Sequence, residues 1–261
     1  MIGRWPLPGW QEGYLPRLPI VGDVTAALGI DPLVVLLRST AALALSTLGG
    51  RESTLTAGAV RVRLILEELT VGADPEGAVG RLGEVRMVAR DVVWAATRLR
   101  RVTLSGRNVH VRPELLAAAV VVAAPVLIDL DVAAEDLPSI HRRLRLAIDA
   151  DGLATVHPAG LDRLRLELEP HLAGDGVTIV GRALRIGSRR IRLPAWARLR
   201  RDVATDRLPA GVRLVGVATG PGVVRISVEV RDWSAPVTAA TLTELAARLA
   251  SGATDVELGA P

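Results

Sequence analysis

The side chains able to do chemistry are few in kind. All 32 basic residues are Arg, because the sequence holds no Lys, and Cys is absent as well. Without a lysine amine there is no Schiff base and no Walker-type lysine, and without a thiol there is no disulfide, thiolate nucleophile or Cys-based metal site. The histidines at 110, 141, 157 and 171 never reach zinc-ligand spacing, so each reads as an ordinary solvated or satisfied His. Asp129 and Asp131 have a D-x-D spacing of the kind that can hold a divalent metal. They also alternate with apolar residues, and that alternation already explains them as the wet side of a strand. No nucleophile, base and orienter can be assembled. The expectation is a protein that is not an enzyme and carries no cofactor and no metal.

The densest polar feature is Arg189, Arg190, Arg192, Arg198, Arg200 and Arg201 around Trp196. Guanidinium groups grip phosphate through two N–H bonds, and Trp favours the membrane–water interface, so this stretch is the candidate headgroup or membrane contact. A merely solvated charged face is the alternative. The formal net charge of +4 gives mild attraction to an anionic membrane surface rather than a nucleic-acid signature. Aromatic residues are 2% of the chain and Phe is absent, which leaves no platform for stacking bases, so nucleic acid is not an expected partner.

The elements that would position these residues are written as alternation. Val126, Ile128, Leu130 and Val132 share one face against Asp129 and Asp131. The same period of two recurs at Val60 to Leu66, Leu144 to Ile148, Leu164 to Glu169 and Val224 to Val230. Gly, Pro and Asp separate these runs, which favours antiparallel sheet. Between Val102 and Val111 the phase changes at Ser105 and Gly106, as a β-bulge or a turn between two short strands would require. A helix is predicted from Asp31, a good N-cap followed by Pro32, to Leu48, with Gly49 and Gly50 as its stop. It is apolar nearly all round and too short to span a bilayer, so it is expected to be buried along a sheet. A second helix is predicted near the end, capped by Thr241 with Glu244, striped by Leu242, Leu245 and Leu249, and stopped at Gly252.

With 261 residues, 49% hydrophobic and 23% charged, the chain is globular in composition. Three parts are expected: an irregular arm over 1–30 carrying Trp5, Trp10 and Tyr14, a single domain over 31–252, and a tail over 253–261. Pro6, Pro8, Pro16 and Pro19 interrupt any apolar run of the kind an export signal needs. The expected location is cytoplasmic or peripheral at the membrane, with export to the cell envelope if the start site is misassigned.

The stretch "GRLGEVRMVARDVVWAATRLRRVTLSGRNVHVRPELL" followed by "APVLIDLDVAAEDL" resembles the strand pattern and corner of the bacterial LmeA-like phospholipid-binding family. "GLATVHPAG", "LRIGSRRIRLP" and "LPAGVRLVGVATGPGVVRISVEV" are similar to its closing strands. The likeness covers roughly residues 50 to 232. It implies a tubular lipid-binding (TULIP-like) α+β fold, in which a strongly curved, mainly antiparallel sheet wraps a long apolar helix, with a C-terminal helix besides. It implies phospholipid, including phosphoinositide, held in an apolar groove at the cell envelope. The groove candidates are Leu36, Leu37 and Leu43 on the helix, and Val126, Ile128, Leu130, Leu164, Leu166 and Leu168 on strands. The competing expectation is a structural or interaction module whose sheet is filled by its own helix and holds no ligand.

Overall fold

The computed structural model describes residues 32–57, 60–72, 81–94, 97–113, 118–137, 144–161, 163–174, 176–203 and 211–258. The expected arm, Asp31 and His141 lie outside them. In chain order the described elements are α1 (Pro32–Leu48), β1 (Glu52–Ala57), β2 (Val60–Val71), β3 (Arg81–Trp94), β4 (Thr97–Pro113), β5 (Ala118–Ala123) and β6 (Val126–Ala133). They continue with β7 (Leu144–Ile148), β8 (Ala154–Pro158), β9 (Leu164–Ala173), β10 (Gly176–Ile186), β11 (Arg189–Arg192), β12 (Arg200–Val203), β13 (Val212–Gly220) and β14 (Val223–Val230). The chain closes with β15 (Trp233–Thr238), α2 (Ala239–Ala250) and β16 (Asp255–Leu258). The class is α+β, mostly sheet, and antiparallel pairing dominates.

Two compact units divide these elements. One holds α1, β1, β2, β5, β15, α2 and β16 with residues 81–90 of β3 and 104–113 of β4; the other holds residues 91–94 and 97–103 of those strands and β7 through β14, with β6 from Leu127 onward.

In the first unit β1 pairs antiparallel with β2 and parallel with β16, while β5 lies between β4 and β15. Helix α1 packs on β2 and on α2. Its stop is the expected one. The Gly49 amide donates to the Leu45 carbonyl at 2.9 Å, and a Cβ on Gly49 would stand 2.3 Å from that same oxygen. Gly50 then takes a φ of 72°, open to Gly at no steric cost. Helix α2 is capped one turn earlier than the sequence reading placed it. Thr238 is the N-cap, and it and Thr241 each accept from the other's backbone N–H, while Glu244 instead pairs with Arg248 at 2.7 Å. Leu242 and Leu249 are buried as expected. Residues 255–258, expected as tail, form β16.

The phase change in β4 occurs within one continuous strand rather than at a turn. Gly106 is buried, Asn108 has a φ of 50°, and Val109 and Val111 are buried beyond it. Asn is among the few residues that take the left-handed region at low cost.

In the second unit β13, β14 and β6 are neighbours, and a separate sheet has the order β11-β10-β9-β8-β7 with β12 also on β10. Buried side chains in both units are mainly aliphatic, with Leu249 at 1% exposure in the first and Val132 at 0% in the second. Each such side chain contributes about 1.5–3 kcal/mol when taken out of water.

Candidate functional site

The register of the second sheet sorts its residues onto two chemically opposite faces. Leu146 pairs with Val156, Val156 with Leu166, Leu166 with Leu184 and Leu184 with Ile191. Partners directly opposite each other share a face, as do residues two apart along a strand. One face therefore carries Leu144, Leu146 and Ile148, then Val156, then Leu164, Leu166 and Leu168, then Leu184 and Ile186, and ends on Ile191. Gly181, at a register shift in β10, belongs to it as well, and a Cβ there would lie 3.2 Å from Leu166 Cδ1. The three expected groove residues of β9 sit in the middle of this surface and are half-buried rather than close-packed. Towards β11 it opens further, with Ile186 50% and Ile191 49% exposed.

The opposite face is built of ion pairs. Glu167 is 1% exposed, and its carboxylate accepts from Arg190 Nε and Nη2 at 2.9 and 2.6 Å. Arg185 approaches the same carboxylate at 3.3 Å, and Arg182 pairs with Glu169. The hydrogen bond from Arg190 to Glu167, with the charge of that carboxylate, raises the guanidinium pKa above its ordinary value.

The expected Arg cluster is divided between these faces. By register with β10, Arg190, Arg192 and Arg200 belong to the ion-paired side, while Arg189 and Arg201 stand at the margin of the apolar one. Strands β11 and β12 both pair with β10, and the chain between them leaves the sheet in a single 3-10 turn at Ala195–Ala197. The Gly181 amide donates to the Leu199 carbonyl at 2.9 Å, and the Leu193 amide donates to the Arg182 carbonyl at 2.9 Å, so both legs of the excursion are pinned to β10. At its tip Trp196 is 88% exposed and Leu199 66%, and Arg198 Nε donates to the Leu193 carbonyl at 3.4 Å.

The remaining groove candidates fall elsewhere. Ile128 and Leu130 are half-buried on β6 in the second unit; Leu36, Leu37 and Leu43, half-buried on α1, and the buried Val126 belong to the first. Asp129 and Asp131 are not a solvated edge. Asp131 is 8% exposed and accepts from Arg225 Nε and Nη2 at 2.7 and 2.9 Å, while Asp129 accepts from Ser227 Oγ at 2.5 Å. Arg213 continues this polar ladder to Glu229 at 3.0 Å. The wet-face reading of that pair is thus corrected, because the strand beside β6 supplies partners that alternation alone cannot reveal.

The described histidines are dispersed. His110 accepts from Arg112 at 3.0 Å, and His171 lies 3.5 Å from Glu169. Among the described residues no group of three or more His, Asp or Glu could hold a metal ion, and no helix is long and apolar enough to cross a membrane. Ile186, Ile191 and Leu199 escaped sequence reading. The signal was the alternation of Leu184 and Ile186 with Arg185, and of Ile191 and Leu193 with Arg190 and Arg192, which the density of Arg obscured.

No known protein family matches this chain, and neither a curated protein nor a solved structure matches it.

Proposed function

We propose that the protein binds phospholipid without catalysing a reaction, and that it does so at an anionic membrane surface. The observation that carries this reading is the apolar sheet face running from Leu144 to Ile191, half-buried at its centre and about half exposed at Ile186 and Ile191. Contiguous exposed apolar surface is unfavourable in water, and acyl chains would cover it at about 25 cal/mol per Å². Arg189 and Arg201 at its margin suit phosphate, and Trp196 with Leu199 suits the interfacial layer. The likeness of the sequence to the LmeA-like family supports the same reading and extends it to a TULIP-like arrangement, with curved sheet around α1, and to action at the cell envelope.

Native mass spectrometry of the protein purified from its own host tests this. A co-purified phospholipid is expected, and Ile186→Asp with Ile191→Asp should reduce its occupancy without lowering the melting temperature, since both positions are already about half exposed. A lipid-free protein that takes up no phospholipid from vesicles would sink the proposal in favour of a self-filled structural or interaction module.

A further inference from the structure

Arg38 projects from the second turn of α1, and among the described residues its guanidinium has a single hydrogen-bond partner. Nη2 donates to the Gly72 carbonyl at 3.1 Å, just beyond the end of β2. Gly72 is itself fixed, its amide donating to the Glu84 carbonyl at 2.7 Å. The Nε–H of Arg38 is buried and has no hydrogen-bond partner among the described residues. Folded proteins rarely leave a buried charged donor unpaired, because the cost of desolvating it is then not recovered. Beside this group lies an open cavity of about 370 Å³, walled by Ala41, Ala42 and Leu45 of α1 and by Leu69 and Val71 of β2, with Ser46 at the other end. That volume falls within the range of small-molecule sites, roughly 300–1,000 Å³. The two alanines make the room, since longer side chains at these positions would close it. From Arg38 to Ser46 the trough follows α1 for ~12 Å at the helical rise. Among the described residues no carboxylate lines it, and the Ser46 hydroxyl donates to the Leu43 carbonyl at 2.8 Å.

We infer that this trough binds an anionic amphiphile, a carboxylate or phosphate monoester on an unbranched apolar body, with the Arg38 guanidinium as donor to the anionic head and Ala41, Ala42, Leu45, Leu69 and Val71 receiving the tail. The inference does not rest on the phospholipid reading, because every residue it uses belongs to the first unit and none to the apolar sheet face.

Calorimetric titration of the full chain with decanoate, decyl phosphate, decanol and inorganic phosphate tests it. Decanoate and decyl phosphate should bind one to one. Decanol should bind at least about tenfold more weakly, the usual scale for losing one hydrogen bond to a charged group. Inorganic phosphate, lacking the tail, should also bind more weakly than decyl phosphate. Arg38→Gln should bring decanoate down to the level of decanol. Ala42→Trp, which fills the trough from an exposed helix position, should abolish decanoate binding with the circular dichroism spectrum unchanged. Ile186→Asp with Ile191→Asp should leave decanoate binding intact, so failure of this site and failure of the phospholipid proposal are read separately. Equal affinity for decanoate and decanol, or for the two phosphates, or an unaffected Ala42→Trp variant, would overturn the inference. The comparison of ligands on the unsubstituted protein stands even where Arg38→Gln loosens the fold.

Discussion

Arg225 grips Asp131 through two nitrogens, and the carboxylate it holds is almost wholly removed from solvent. Truncation to Arg225→Ala strands that carboxylate, and a stranded buried acceptor costs about 1–3 kcal/mol. The Arg225 side chain is itself 55% exposed, which places the expected loss towards the lower end. Urea denaturation of the single variant measures it, and a change under about 0.5 kcal/mol would show that water replaces the guanidinium freely. The hydrogen bond to Asp131, with its charge, raises the pKa of Arg225. A raised cationic pKa stabilises the fold below the unfolded value and is lost only as pH rises through the folded one, above the ordinary arginine range. Titration of Arg225 therefore adds no slope to stability between about pH 5 and pH 9. This ladder was illegible in the sequence for a definite reason. Alternation reports which side of a strand a residue takes, but Arg225 lies 94 positions from Asp131 and nothing local announces that β14 will lie beside β6.

Helix α2 owes its start to Thr238, whose hydroxyl accepts from the Thr241 amide at 3.0 Å. Thr238→Ala should cost about 1 kcal/mol, seen as a lowered urea midpoint with an unchanged slope, whereas Glu244→Ala should cost only a few tenths. An equal effect of the two substitutions would restore Thr241 with Glu244 as the working cap. The sequence offers a hydroxyl at both 238 and 241, and the stripe of Leu242, Leu245 and Leu249 is compatible with either start, so the cap was misplaced by one turn although the helix and its Gly252 stop were legible. Longer strands such as β2, β9 and β14 were legible because apolar and polar residues alternate along them. Strand β16 was not: four residues give too little periodicity, and the parallel partner β1 lies at the other end of the chain. The apolar sheet face was legible strand by strand at Leu144 and Leu164, but the joining of β7 through β11 into one surface depends on register, which single strands do not carry.

For the whole molecule, a net charge of +4 spread over a chain whose cations are all Arg makes long-range attraction weak and local contact decisive. Co-sedimentation with vesicles containing anionic lipid should fall as salt is raised from 0.05 to 0.5 M, because the screening length shrinks below about 10 Å. Replacing Arg189 and Arg201 with Gln should weaken it about tenfold or more at low salt, and Trp196→Ala should weaken it at every salt concentration. Sedimentation that ignores both changes would leave the Arg-rich edge as a solvated surface. That edge has another consequence, for solubility. A protein with a broad greasy sheet face is at risk of growing by edge-to-edge strand addition, in which a second copy extends the ladder of backbone hydrogen bonds. Here the outer rim is cut into two four-residue pieces, β11 and β12, with the Trp196 turn standing out between them and Arg at most of their positions. An incoming strand would meet a short, charged and interrupted template there, so the same excursion that exposes Trp196 also blocks strand addition at the edge formed by β11 and β12.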